Sequence, residues 1–287
     1  MIDPVLEFLY SLHNRGIKLG LENIESFLET CGNPHHKIQT IHLAGTNGKG
    51  STSSIISKIL QENGYKVGLY TSPHLIRFNE RIRINGKPIS DIAIIEFIEK
   101  YKQTLLDSSI TFFEATTALA FDYFSQKNVD IAIIETGLGG RLDSTNVLSP
   151  VQTIITEIHY DHTHILGNSI EEITAEKCGI FKDNTPSITI NSDKRVLNII
   201  QEHASAKNVQ VSFIQKKDII INDHSPESIS FQYKNKNFSL PQGGSYQAQN
   251  AVLAIRACKD FSPAITYEAI QIGLDRWSWP GRMQLMK

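Results

Sequence analysis

Residues 41–52, Ile-His-Leu-Ala-Gly-Thr-Asn-Gly-Lys-Gly-Ser-Thr, lead an apolar run into a loop with three glycines and one lysine. Glycines let backbone N–H groups turn inward and approach an anion closely. A helix predicted from about Ser51 to Asn63 adds the partial positive charge of its N-terminus, and Lys49 adds a full one. The chemistry this predicts is phosphate binding, with nucleotide as the first ligand class. The spacing is a variant of G-x-x-x-x-G-K-[ST], because Gly50 separates Lys49 from the first hydroxyl residue, Ser51. Taken alone, the same run also suits a tight strand-to-helix turn.

Phosphoryl chemistry needs a metal, which P-loop enzymes hold with an acid at the end of a buried strand. Val129–Glu135 is the strongest apolar strand candidate, and Glu135 ends it just before the Gly-rich Thr136-Gly137-Leu138-Gly139-Gly140. His162, within Tyr160-Asp161-His162-Thr163-His164, follows the predicted strand Val151–Thr156. In an open α/β sheet that is the same carboxyl edge as the cradle. Imidazole can ligate a divalent ion, although Mg²⁺ prefers oxygen, and His164, two residues on, is an alternative. Lys177 lies in a helical stretch, where a lysine is normally a solvated surface residue.

Strands and helices must bring these residues together. Ile38–Leu43, Lys66–Tyr70, Val129–Glu135, Val151–Thr156 and Ser187–Ile190 read as buried strands. Helical patterns cover Asp91–Leu105, Phe113–Gln126, Ser169–Phe181 and Lys194–Ala206. Alternation of this kind predicts a mostly parallel sheet with helices on both faces. Thr71–Pro88 reads as a long loop or a small hairpin. Beyond Val209 the runs Val209–Ile214, Asp218–Ile221, Ser228–Tyr233 and Lys236–Leu240 predict a small antiparallel region over about 209–241. Helices over Tyr246–Lys259 and Thr266–Trp277 follow.

The composition is that of an ordinary globular protein: 287 residues, 40% apolar, 20% charged, net charge −2. No basic field points to nucleic acid or an anionic membrane, and no apolar run reaches the roughly 18 residues of a membrane span. The N-terminus lacks the basic region of a secretory signal. The three cysteines are odd in number and outside any metal-binding spacing, which predicts reduced, mostly buried thiols of a cytoplasmic protein.

Several segments together resemble the folylpolyglutamate synthase / dihydrofolate synthase group of the Mur ligase superfamily. They are Ala44–Thr52; Thr71-Ser72-Pro73-His74-Leu75 with Glu80-Arg81-Ile82; Glu135–Asn146; Asp161-His162-Thr163 with Leu166-Gly167; Glu176–Ile180; and Trp279-Pro280-Gly281-Arg282. They occur in family order over nearly the whole chain. The resemblance implies an α/β, P-loop, Mur-ligase-like ATP-binding domain over residues 1–287. It also implies a C-terminal, Rossmann-like glutamate-binding domain that this chain does not contain, so that the isolated chain is expected to be inactive.

The implied reaction is ADP-forming. ATP phosphorylates the carboxylate of dihydropteroate or of a folate, and L-glutamate attacks the acyl phosphate. Thr46, Asn47, Gly48, Lys49, Gly50 and Ser51 would cradle the ATP phosphates, Asn250 would hold adenine and Arg282 would contact phosphate. Ser72, Glu135 and His162 would ligate two Mg²⁺ ions, and Lys177 would be carbamylated. Thr111, Phe112, Phe113, Glu114, Leu142, Asp143 and Ser144 would line the pterin site, with Ile17-Lys18-Leu19 opposite. Lys49, Lys177, Glu135 and His162 would form the catalytic set. Tyr246-Gln247 replaces the family's His-Gln. The expected partners are small molecules, with no nucleic acid or membrane, and the protein is expected to be a monomer. Two rivals are a cell-wall amino-acid ligase of the same superfamily, which would need an N-terminal UDP-sugar domain ahead of the cradle, and a nucleotide-binding module without ligase activity.

Overall fold

The computed structural model describes residues 2–16 and 20–281. Two helices, α1 (Asp3–Ser11) and α2 (Glu22–Thr30), precede the first strand, β1 (Thr40–Ala44). Then come α3 (Lys49–Glu62), β2 (Val67–Tyr70), the short strands β3 (Ile82–Ile84) and β4 (Lys87–Pro88), α4 (Asp91–Asp107), α5 (Phe112–Gln126) and β5 (Ile131–Glu135). The chain continues through β6 (Gln152–Ile155), α6 (Thr163–Leu166), α7 (Ile170–Cys178), β7 (Ser187–Thr189), α8 (Lys194–Ala206) and β8 (Val211–Phe213). It finishes with β9 (Ile219–His224), β10 (Ile229–Tyr233), β11 (Lys236–Leu240), α9 (Ser245–Phe261) and α10 (Tyr267–Asp275).

The eight-stranded sheet has the order β4-β3-β2-β5-β1-β6-β7-β8, with β3 and β4 antiparallel and the other neighbours parallel. Helices cover both faces, so β1 and β5 are buried at every position, and β5 reads as an apolar run up to Glu135 rather than an alternating one. Successive residues of β5 enter opposite cores. Ile131 and Ile133 join Ile55 of α3, Val252 of α9 and Ile270 of α10, whereas Ala132 and Ile134 join Leu9 of α1, Ile24 of α2 and Phe121 of α5. A third cluster, including Ile173 and Ile200, packs α7 and α8 beside Ile155.

The hairpin alternative for Thr71–Pro88 is the one formed: Asn85 and Gly86 both have positive φ, as a two-residue turn between β3 and β4 demands. One expectation is overturned. Val209–Ile214 is predicted within the antiparallel region, but Val211–Phe213 pairs parallel with β7 as the edge of the main sheet. The crossover through α8 returns the chain in the parallel sense. A short edge strand carries the same half-apolar pattern as a hairpin arm, so periodicity could not separate them. The separate three-stranded sheet begins at Ile219 and turns Ile229, Phe231 and Tyr233 inward into the same core as α9. Among the described residues no helix is long and apolar enough to cross a membrane.

Helix α10 rests on α3 at Gly273, where an added Cβ would lie 2.7 Å from the Ile59 Cα. Alanine favours a helix by about 1 kcal/mol over glycine. Overpacking against a backbone that cannot yield typically costs about 1–3 kcal/mol. Gly273→Ala is therefore expected to lower stability despite its better helix propensity, read as a lower urea midpoint at unchanged slope.

Candidate active site

β1 is flanked by β5 and β6, so the loops after β1, β2, β5 and β6 meet at one edge of the sheet. They enclose a cavity of about 610 Å³, lined among others by Thr46–Ser51, Ser72, Glu135, His162, Lys177 and Asn250. The loop after β1 bends at two glycines with positive φ, Gly45 (+151°) and Gly48 (+85°). Both sites are closed to larger residues: a Cβ would lie 1.9 Å from Thr156 Oγ1 at Gly45 and 2.3 Å from Asn250 Oδ1 at Gly48. The loop is anchored from β6, because the Glu157 carbonyl accepts from Thr46 N (2.9 Å) and Asn47 N (3.1 Å). Gly48 begins α3 without a side-chain cap, so the first-turn amides face the cavity as anion donors.

Two ammonium groups converge on one backbone oxygen. Lys49 Nζ donates to the Gly45 carbonyl at 2.8 Å, and Lys177 Nζ donates to the same carbonyl at 2.9 Å. Lys177 is only 1% exposed, which corrects the expectation of a solvated helix lysine. Burial first, and then the charge of Lys49, push its pKa down to about 8, against the pull of Asp161 and Asp143. Glycine creates this burial. A Cβ at Gly140 would lie 2.7 Å from the Lys177 carbonyl, so the Gly-rich loop after β5 docks directly on the backbone of α7. Arg141 completes the contact through its N–H to the Glu176 carbonyl (2.8 Å) and its guanidinium to the Glu176 carboxylate (2.7 Å).

Ser72, Glu135 and His162 share the cavity wall. Ser72 N donates to Glu135 Oε2 at 3.2 Å, and His162 is half-exposed beside Asp161, at 3.5 Å. Among the described residues no three His, Cys, Asp or Glu side chains form a metal cage. One carboxylate, one hydroxyl and one imidazole suit Mg²⁺, which keeps several waters, better than an ion that needs a closed protein shell.

A second cavity of about 560 Å³ adjoins the first and shares Ser72, Pro73, Gly137, Leu138 and His162 with it. Thr111, Phe112, Phe113, Leu142, Asp143 and Ser144 line it, together with His13 and Arg81. The Phe112 ring stacks on His13 at 3.9 Å and lies under the Arg81 guanidinium at 5.2 Å. Glu114 is the exception. It is 2% exposed, does not line the cavity, and closes a capping box by accepting from Thr111 N at 2.7 Å. The Asp143 carboxylate is committed to its own loop, accepting from Gly137 N (2.9 Å), Leu138 N (2.8 Å) and Thr145 N (3.0 Å). Arg282 and Ile17-Lys18-Leu19 lie outside the described residues.

Sequence reasoning assigned no role to Glu157, Asp161 and Gln249 in the first cavity, or to His13 and Arg81 in the second. Three of these carry a local signal: Glu157 follows the end of β6, and Asp161 and Arg81 lie inside matching segments. Tyr246 lines the nucleotide cavity, while Gln247 is fully buried beneath it and bonded to Asn250 (2.9 Å).

The sequence profile of the Mur ligase middle domain matches residues 43–258. A dihydrofolate synthase/folylpolyglutamate synthase from Bacillus subtilis is 40% identical over 296 residues, covering 96% of this chain and 69% of that relative. The crystal structure of folylpolyglutamate synthase from Thermotoga maritima superposes with a TM-score of 0.89 at 35% identity, covering 99% of this chain and 68% of that one. An FPGS–AMPPCP–folate complex superposes at 0.85 with 32% identity, covering 97% and 73%. The chain therefore spans about two thirds of the length of these relatives.

The depressed Lys177 pKa has a stability consequence of definite sign. Between about 8 and the ordinary 10.5 the unfolded chain binds more protons than the folded one. The penalty is thus complete below pH 8 and is relieved as pH rises toward 10.5. In CO₂-free buffer without nucleotide, Lys177→Met should raise stability at pH 7 by about 1–3 kcal/mol. Urea unfolding across pH 7 to 10 should show that gain shrinking. A gain that does not change with pH would mean that the ammonium is not the source.

Proposed function

The chain belongs to the Mur ligase family, in its dihydrofolate synthase/folylpolyglutamate synthase branch, and on that premise we propose that it carries the ATP and acid-substrate sites of an ADP-forming ligase. The acid is dihydropteroate, a folate or both, and the amine added to it is that of L-glutamate. The observation that carries this reading is the pair of adjoining cavities, one built from a phosphate cradle and the other from aromatic rings, meeting at Ser72 and His162. A related solved complex contains AMPPCP and folate together, which supports the same pairing of ligands.

The chain's own residues divide the work. Amides of the Gly48–Ser51 turn and the Lys49 ammonium hold the triphosphate and orient its terminal phosphoryl toward the shared wall. Asn250, Tyr246 and Gln249 bound the nucleoside end of the cavity. Phe112 and Phe113 shield the acid's ring from water, leaving its carboxylate at the junction to attack phosphorus. The acyl phosphate so formed is consumed by the amine of glutamate, releasing phosphate. Mg²⁺ bound by Ser72, Glu135 and His162 would screen the charge between the two approaching anions.

Lys177 completes the site as a carbamate: its neutral amine forms an N–C bond to CO₂ and loses a proton, becoming an anion that supports a second ion. Its near-neutral pKa supports this assignment, because a protonated amine has no lone pair to offer.

Titration calorimetry with AMPPCP and Mg²⁺ tests the nucleotide site. Lys49→Ala should weaken binding at least tenfold, and Glu135→Ala should abolish its Mg²⁺ dependence. Coinciding wild-type and mutant isotherms would remove both assignments. Labelled ¹³C-bicarbonate should give a carbamate carbon signal in the nucleotide-bound protein that Lys177→Ala lacks, and no signal in the wild type would leave Lys177 a plain ammonium. ADP release that depends on both dihydropteroate or folate and glutamate, measured in a chain of the relatives' full length, tests the reaction. ADP release indifferent to the acid would instead favour a nucleotide-binding module.

A further inference from the structure

We propose that Arg81 is the receptor for the carboxylate of the acid substrate, and the residue by which the second cavity selects an acid over a neutral ring system of the same shape. This deepens the ligase reading above and rests on it.

Arg81 is only 8% exposed, yet it lines the second cavity and not the nucleotide cavity. Among the described residues no carboxylate forms an ion pair with it. Among the described residues its one side-chain hydrogen bond runs from Nε to His74 Nδ1 at 2.8 Å, which leaves the two terminal nitrogens for another acceptor. That bond and the Phe112 ring beneath fix the plane of the guanidinium. Glu135 attracts the guanidinium only from beyond ion-pair distance, so its buried charge is incompletely compensated, and the natural complement is an anion from outside the chain. The planar fork matches a carboxylate in two parallel hydrogen bonds. The cavity around it is aromatic, so the ligand that satisfies both features is a ring-bearing acid. The phosphates of the nucleotide are served by a separate set of donors on the other side of Ser72.

The test uses the 287-residue chain with AMPPCP and Mg²⁺ present, and two probes: dihydropteroate and its primary amide, of nearly equal shape but no charge. The wild type should bind the acid at least about tenfold more tightly than the amide. Arg81→Gln should abolish that preference while amide affinity stays within about twofold. Arg81→Lys, which keeps the charge without the fork, should retain a preference reduced at least threefold. AMPPCP affinity and circular dichroism report whether each variant is folded, and if Arg81→Gln is not, Arg81→Lys decides. A preference unchanged in the folded variant overturns the role of Arg81 and leaves the ligase reading standing. A wild type that binds AMPPCP but neither probe overturns the acid site itself, and the Arg81 assignment with it.

Discussion

The Gly45 carbonyl, held by two ammonium groups at once, organises this site. Like charges converge there at the end of the central strand, and among the described residues neither lysine has a carboxylate within ion-pair distance. Lys49 folds back over its own loop, whereas Lys177 reaches the same oxygen from a different helix with its stem fully buried. The repulsion helps to lower the Lys177 pKa and favours an anion at the site. The Thr156 hydroxyl occupies the space that a Cβ at Gly45 would need, so the loop can take this path only with glycine there.

Much of what looks like ligand-binding sequence is support. Gly140 lets the loop after β5 touch the backbone of α7, and Asp143 spends its carboxylate on the amides of that loop. Burial pushes the Asp143 pKa up, opposed by its bonds to the Thr145 hydroxyl and to backbone amides. Thr145 in turn meets the buried His42 ring on β1 at 2.8 Å. One polar chain therefore ties the central strand to the Gly-rich loop, and the loop to the helix that carries Lys177. Glu114 belongs to the same class: it orders the first turn of α5 so that Phe112 and Phe113 face the second cavity.

The division into two cavities follows from the sheet order. Because β5 lies between β1 and β2, the loop after β5 emerges beside both the cradle and the Ser72 segment, and Gly137 and Leu138 become a wall common to both cavities.

The sequence by itself determined the cradle, its strand and helix, the acid at the end of β5 and the alternation that makes a parallel sheet, because each is a local pattern of residue type and period. Matching segments in order assigned the family and most of the wall residues. Val211–Phe213 was misassigned because partner choice at a sheet edge depends on the crossover before it, not on the residues within it. Only the tertiary structure decided that Lys177 is buried, that Glu114 caps a helix, and that Arg81 lines the second cavity with no ion-pair partner among the described residues. Burial and charge compensation are properties of what surrounds a side chain, and those surroundings come from segments tens of residues away.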